Sequence, residues 1–190
     1  EFYSHVTPDN DRCEKLDRQR VEIKTYESSP ENLKGTLGET VTYKWKFKLP
    51  KGFQPSSNFT HLHQIKAVGG SQDLPIFTIT ARKAKVNQLL VIHNNENTIA
   101  TADLSEFEGT WVEITEKIKI GANGTYSISI KKIKNGKELL SFKSDNIMTI
   151  RGDNDFIRPK WGIYRSLKKA EDLRDEAVRF NEFSIKEDVK

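Results

Sequence analysis

This sequence predicts an all-β jelly roll, two sheets packed face to face in the concanavalin A-like manner, and three observations support that fold class. Apolar and polar residues alternate with period two in segment after segment. Glycine, asparagine and proline break the pattern at short intervals. The chain has 190 residues with 35% hydrophobic content, enough for one substantial core and ordinary for a single all-β sandwich. No repeat, low-complexity tract or long linker divides it, so one domain spanning 1–190 is expected. In such a sandwich one face of each sheet packs inward, and the opposite face of a curved sheet can form an open groove for an extended ligand.

The elements follow in order. Alternation starts at Arg20-Val21-Glu22-Ile23-Lys24 and recurs at 40–49, 61–67, 76–82, 88–93, 110–120, 125–132 and 138–143. Pro50-Lys51-Gly52, Gly69-Gly70, Asn94-Asn95 and Gly121-Ala122-Asn123-Gly124 supply a rigid bend or positive φ between them, and 133–137 reads as a hairpin tip around Asn135-Gly136. Lys160-Trp161-Gly162-Ile163-Tyr164 is a further strand. Leu167, Ala170 and Leu173 stand at helical spacing and predict a short helix or helical loop over 167–176, after which 177–185 returns to strand.

Composition narrows the function. Lys plus Arg total 31 against 27 for Asp plus Glu, a formal charge of +4, too small an excess to diagnose a partner. No zinc-ligand spacing, recognition-helix pattern or aromatic-basic ribonucleoprotein motif is present, so nucleic acid is not the expected partner. Cys13 is the one cysteine, which rules out an internal disulfide and reads as an ordinary partly buried thiol. No apolar run approaches the roughly 20 residues that span a bilayer. The polar start at Glu1 reads as a mature or trimmed form, and the sequons at Asn58 and Asn123, if used, imply secretion; a monomer is expected.

Three stretches point to the site. A strand sends successive side chains to opposite faces, so Arg20, Glu22 and Lys24 share one face, Gln64 pairs with Lys66, and Lys160 pairs with Tyr164. If those strands are neighbours, one face carries cations, an amide, a carboxylate and a phenol, which suits an acidic polymer. Taken alone, Arg20, Glu22 and Lys24 also fit a solvated cross-strand charge ladder.

In order along the chain, these stretches resemble the motifs of the jelly-roll polysaccharide lyases, a group that includes alginate lyases, heparin lyase I-like enzymes, glucuronan lyases and short ulvan lyases. Arg20-Val21-Glu22-Ile23-Lys24 is similar to their Arg-x-Glu-x-Arg strand, with Lys24 at the last arginine. Gln64-Ile65-Lys66 resembles Gln-Ile-His, with lysine replacing histidine, and Lys160-x-Gly162-x-Tyr164 matches Lys-x-Gly-x-Tyr. His61–Lys66 and Trp161–Arg165 look most like the heparin lyase I and glucuronan lyase branch, and the likeness spans residues 18 to 185.

The resemblance implies β-elimination on a uronate polysaccharide: loss of the C5 proton beside a carboxylate and expulsion of the C4 oxygen. Glucuronan or a related glucuronate polymer leads as substrate, with ulvan next, then alginate or heparin-like chains. Arg20 and Gln64 suit the carboxylate, whose charge grows in the transition state. Tyr164 is the expected proton donor, and serves as base as well if proton and leaving group lie on one side. Lys66 is the rival base, and binds a carboxylate instead if its ammonium, ordinarily near about 10.4, stays protonated. Lys160 adds positive potential near Tyr164, and Glu22 orients Arg20 or Lys24. Lys24 and Arg82, the latter following Thr78 and Thr80 on alternate positions, extend the polar face.

His61 and His63 share parity with Ile65, so regular geometry turns them away from Gln64 and Lys66; a bulge would reverse this and admit either histidine, His61 or His63, to the substrate side. Arg165 faces away by the same count, unless the strand end turns it toward the groove. Trp45, Trp111 and Trp161 lie in strand patterns that read as core. Asp153-Asn154-Asp155 lacks a full EF-hand loop, and the family likeness admits a structural calcium ion with no cofactor required for catalysis. The competing class is a non-catalytic, lectin-like carbohydrate-binding module on the same sandwich. A glycoside hydrolase would need two placed carboxylates, and no Glu-x-Asp-x-x-Glu strand is present.

Overall fold

Alternation becomes twelve strands in the computed structural model, which describes residues 1–7, 16–71 and 74–188. They are β1 (Phe2–Ser4), β2 (Arg18–Lys24), β3 (Thr40–Lys48), β4 (Thr60–Val68), β5 (Pro75–Arg82), β6 (Gln88–His93), β7 (Asn97–Asp103), β8 (Val112–Lys119), β9 (Gly124–Lys132), β10 (Glu138–Ile147), β11 (Phe156–Ser166) and β12 (Glu176–Glu187). Two six-stranded sheets result, ordered β1-β12-β3-β8-β9-β10 and β2-β11-β4-β5-β6-β7, with antiparallel pairing throughout. Cys13 lies outside the described residues.

Between the sheets the inward-facing residues form one core. Val41, Tyr43, Trp45 and Phe47 of β3, with Ile114, Ile118, Tyr126, Ile128 and Ile130 from β8 and β9, meet Ile65, Phe77, Ile79, Val91 and Ile163 of the second sheet. Phe77 stacks on Tyr126 with ring centroids 3.8 Å apart. Burying each such side chain contributes about 1.5–3 kcal/mol, which is what makes alternation specify sheet faces so firmly. The turn readings hold at the tips. Asn94 and Asn95 adopt φ of 50° and 63° between β6 and β7, and Gly136 adopts 69° where the Lys132 amide donates to the Lys137 carbonyl.

The structure departs from the sequence reading in three places. The expected helix over 167–176 is only a 3-10 turn, Ala170–Asp172. Three apolar residues in ten cannot offset the cost of nucleating an isolated helix, and of that segment's apolar spacing Leu173 alone is buried as core. β1 and β7 were not legible, β1 because it has only three residues and β7 because Thr98, Ala100 and Ala102 alternate too weakly on an edge strand. Trp111 precedes β8 and is half-buried, whereas Trp45 and Trp161 are core.

Candidate active site

β2, β11 and β4 lie side by side, so the three motif stretches meet on the outer face of the second sheet. The register sets the rungs. Tyr164 stands opposite Arg20 on one side and His61 on the other; Lys160 stands between Lys24 and Gln64; Arg158 faces Lys66. Gly162, between Tyr164 and Lys160, faces Glu22 at φ 149°. A Cβ there would sit 2.0 Å from the Val21 carbonyl oxygen, so the glycine lets the edge strand approach and leaves the middle of the face without a side chain.

A bulge in β4 changes which histidine reaches this face. His61 pairs with Thr80 and His63 with the adjacent Ile79, so Leu62 is an extra residue, and Leu62 and His63 both turn inward. His63 is therefore no substrate ligand, contrary to expectation. Its ring is fully buried between Trp45 and Trp161, Nδ1 bonds the Lys160 carbonyl at 2.9 Å, and Nε2 lies 2.9 Å from Glu116 Oε2 on the opposite sheet. Glu116 also accepts hydrogen bonds from Tyr126 Oη (2.7 Å) and Trp45 Nε1 (3.4 Å). Burial pushes the Glu116 carboxyl up, but the facing His63 and these donors outweigh it and leave it below the usual carboxylate range.

The bulge carries His61 onto the outer face, where its ring meets Tyr164 edge-on at 5.6 Å and stacks on Phe59 at 4.6 Å. Burial, with Lys160 and Arg82 nearby, lowers its pKa to about 3 and keeps the imidazole neutral.

Tyr164 is ringed by cations. Arg18 Nη1 donates to its hydroxyl oxygen at 3.2 Å, the Arg20 guanidinium carbon lies 5.5 Å from the ring centroid, and Lys160 Nζ lies 5.9 Å from it. Lys160 therefore does approach Tyr164 despite the four-residue separation. Glu22 links the neighbours: one carboxylate oxygen accepts from Gln64 Nε2 and the other from Lys160 Nζ. Its partners are Gln64 and Lys160, rather than the Arg20 or Lys24 expected from sequence. The Glu22 and Lys160 side chains are only 6% and 7% exposed, so their ion pair is buried; burial lowers the Lys160 pKa against the pull of Glu22. An amide nitrogen carries two hydrogens, and Glu22 takes one of Gln64's.

Other expected residues fall elsewhere. Lys66 is on the same face but opposite Arg158, six residues along β11 from Tyr164 and so roughly 20 Å away by backbone. Lys66, expected as the rival base, is thereby out of reach of Tyr164, whose neighbour on β4 is His61. Lys24 is exposed, its Nζ 4.4 Å from the Tyr26 ring centroid. Arg82 lies near enough to influence His61. Arg165 is 1% exposed and points away from the face: it donates to Gln19 Oε1 and to the Arg174 and Ser4 carbonyls, bracing the amino-terminal strand. It is not on the substrate side, because the strand continues regularly through Ser166.

At 153 and 154 the side chains bind protein. Asp153 Oδ2 accepts from the Ser71 amide and hydroxyl, both at 2.7 Å, and Asn154 donates to the Gly69 carbonyl, closing this loop on the turn after β4. Among the described residues no group of three or more His, Cys, Asp or Glu is placed to hold a metal ion. Arg18 and Asp17 were missed by sequence as site residues, and His61 was admitted only conditionally. Arg18 had a usable signal, since it shares the parity of Arg20 and Glu22; His61 had only the condition of a bulge.

Two antiparallel six-stranded sheets and a cationic outer face bearing an amide and a phenol define a jelly-roll protein with a polar face laid across three neighbouring strands. A family model described as polysaccharide lyase matches residues 3–181, and the chain belongs to that family. It is a polysaccharide lyase enzyme, which decides between the two classes that the sequence left open. Among solved structures it is similar to the endo-β-1,4-glucuronan lyase of the fungus Trichoderma reesei, at 17% identity and TM-score 0.66 over 96% of this chain and 78% of that one. It is similar as well to the family 7 alginate lyase A1-II′ (14%, TM-score 0.62, 98% and 76%) and to an alginate lyase of Pseudomonas aeruginosa (10%, TM-score 0.56, 90% and 75%). No curated protein sequence matches significantly. No helix among the described residues is long and apolar enough to cross a membrane.

Proposed function

We propose that this lyase cleaves a uronate polysaccharide by β-elimination in which Tyr164 handles the protons. A uronate carboxylate binds the second hydrogen of the Gln64 amide and the guanidinium of Arg20, which stabilises the enolate-like charge formed as the C5 proton leaves. The Tyr164 oxygen takes that proton and returns it to O4 as the C4–O4 bond breaks, leaving a C4=C5 double bond. His61, neutral and with a lowered pKa, is poorly matched to act as base and instead packs against the phenol. Lys66 and Lys24 serve as carboxylate contacts further along the polymer.

The observation that carries the reading is the phenol among three cations on the face that also holds Gln64. One group acting on both atoms requires the C5 hydrogen and O4 on the same side of the sugar ring. Glucuronate and mannuronate have that relation; guluronate and iduronate have the opposite one. Together with the likeness to a glucuronan lyase this favours glucuronan, with ulvan next through its glucuronate units. We expect a secreted monomer, and the sequon asparagines Asn58 and Asn123 are both exposed.

The test is incubation with a panel of uronate polysaccharides while following the conjugated product near about 235 nm. Glucuronan should give the largest signal. Tyr164→Phe should lose it while still binding polymer, since only the proton-carrying oxygen is removed. Substantial turnover by that variant would exclude Tyr164 as the proton carrier.

A further inference from the structure

The hydroxyl oxygen of Tyr164 accepts a hydrogen bond that none of the three motif stretches supplies. Its donor is Arg18, and Arg18 is itself clamped. Nε and Nη2 donate to the two oxygens of Asp17 at 2.7 and 2.8 Å, a bidentate fork that leaves Nη1 to reach Tyr164 Oη at 3.2 Å. The clamp is tied to the strand it serves: the Asp17 carbonyl accepts from the Leu167 amide at 2.7 Å, and Arg18 pairs with Ser166, two residues beyond Tyr164. Asp17 and then Tyr164 raise the Arg18 pKa further, so the guanidinium is a permanent cation. Arg20 and Lys160 lie 5.5 and 5.9 Å from the ring centroid, and the hydrogen bond to the oxygen comes from Arg18.

We propose that Asp17 and Arg18 form a positioning couple that aims and stabilises the Tyr164 oxygen during elimination. This rests on the proton-carrying role given to Tyr164 above. With Arg18 on one lone pair, the phenolic hydrogen is turned away from the guanidinium and toward the open face. Once that hydrogen has left to solvent through the open face, the Tyr164 oxygen, as phenolate, takes the C5 proton. The C–H electron pair becomes the C4=C5 bond, the C4–O4 pair departs with O4, and O4 takes the proton back from Oη. The negative charge starts and ends on Oη, where the Arg18 bond becomes charge-assisted and stronger. Lysine cannot replace Arg18, because one ammonium cannot grip both Asp17 oxygens and still present a fixed donor to Oη.

The experiment compares wild type, Arg18→Ala, Arg18→Lys and Asp17→Asn in the same absorbance assay, with folding checked by thermal melting. Removing one aimed donor from a developing oxyanion typically costs about a hundredfold in kcat. We expect a loss of that size for Arg18→Ala and Arg18→Lys, and a smaller one for Asp17→Asn, with KM nearly unchanged. Guanidinium chloride, added below denaturing concentrations, should restore part of the Arg18→Ala rate and nothing to Tyr164→Phe, a rescue that a merely structural arginine would not show. A folded Arg18→Ala enzyme with near-normal kcat, a change confined to KM, or no guanidinium rescue would each overturn the proposal. A wild type inert toward every polymer would overturn the reading of Tyr164 as well, whereas an active wild type with indifferent Arg18 variants overturns this inference alone.

Discussion

Glu22 shows how much one buried side chain organises. Its carboxylate holds Gln64 of β4 and Lys160 of β11 from the neighbouring edge strand, so the carboxylate-binding amide and the ammonium beside Tyr164 are set by one group. Removing it leaves the Lys160 ammonium buried without its counter-ion, and breaking such a pair costs about 3–5 kcal/mol. Glu22→Ala should therefore lower the urea midpoint by that equivalent and cut kcat together with stability; an unchanged midpoint would show that the ion pair holds nothing in place. Sequence parity found Glu22, Gln64 and Lys160 as face-sharing residues, yet it could not say which pairs touch. Contact depends on strand neighbours, and β2 finds β11 only through the fold.

At the scale of elements, two departures from a regular ladder shape the site. The β4 bulge at Leu62 sends His61 outward and His63 inward, and Gly162 lets β2 close against β11. Both act by geometry rather than by chemistry. Gly162→Ala places a methyl against the Val21 carbonyl at a distance no real contact adopts, so β2 must shift and carry Arg18, Arg20 and Glu22 with it. Overpacking of this kind costs about 1–3 kcal/mol. We expect a modest fall in melting temperature with a much larger fall in kcat, measured on the same preparation; a fully active Gly162→Ala would mean the spacing of these strands is unimportant. The glycine was visible in the Lys-x-Gly-x-Tyr pattern. The bulge was not, since nothing in His61-Leu62-His63 marks Leu62 as the extra residue, and His63 was accordingly misplaced.

Across the whole molecule, acid should weaken the sandwich through the buried Glu116 and the half-buried His61, with the same sign. Glu116 is held below the ordinary carboxylate value, so its contribution is complete above about 4.3 and is lost as pH falls through its lowered folded value. His61 stays neutral in the fold down to about 3, while the unfolded chain takes up a proton below about 6.5, so stability falls across that window. Denaturation midpoints measured from neutral to acid pH should decline, and His61→Gln should flatten the upper part of the decline; an identical slope in the variant would show that His61 titrates normally. By itself the sequence determined the all-β sandwich, ten of the twelve strands and their faces, the turn positions and the likeness to polysaccharide lyases, because period-two alternation and turn chemistry are local and burial rewards only one parity. Tertiary structure alone decided that His61 rather than Lys66 stands beside Tyr164, that His63 and Arg165 are structural, and that Arg18 touches the phenol. Those outcomes depend on interstrand register and a single inserted residue, and both are set by pairing between segments far apart in the chain.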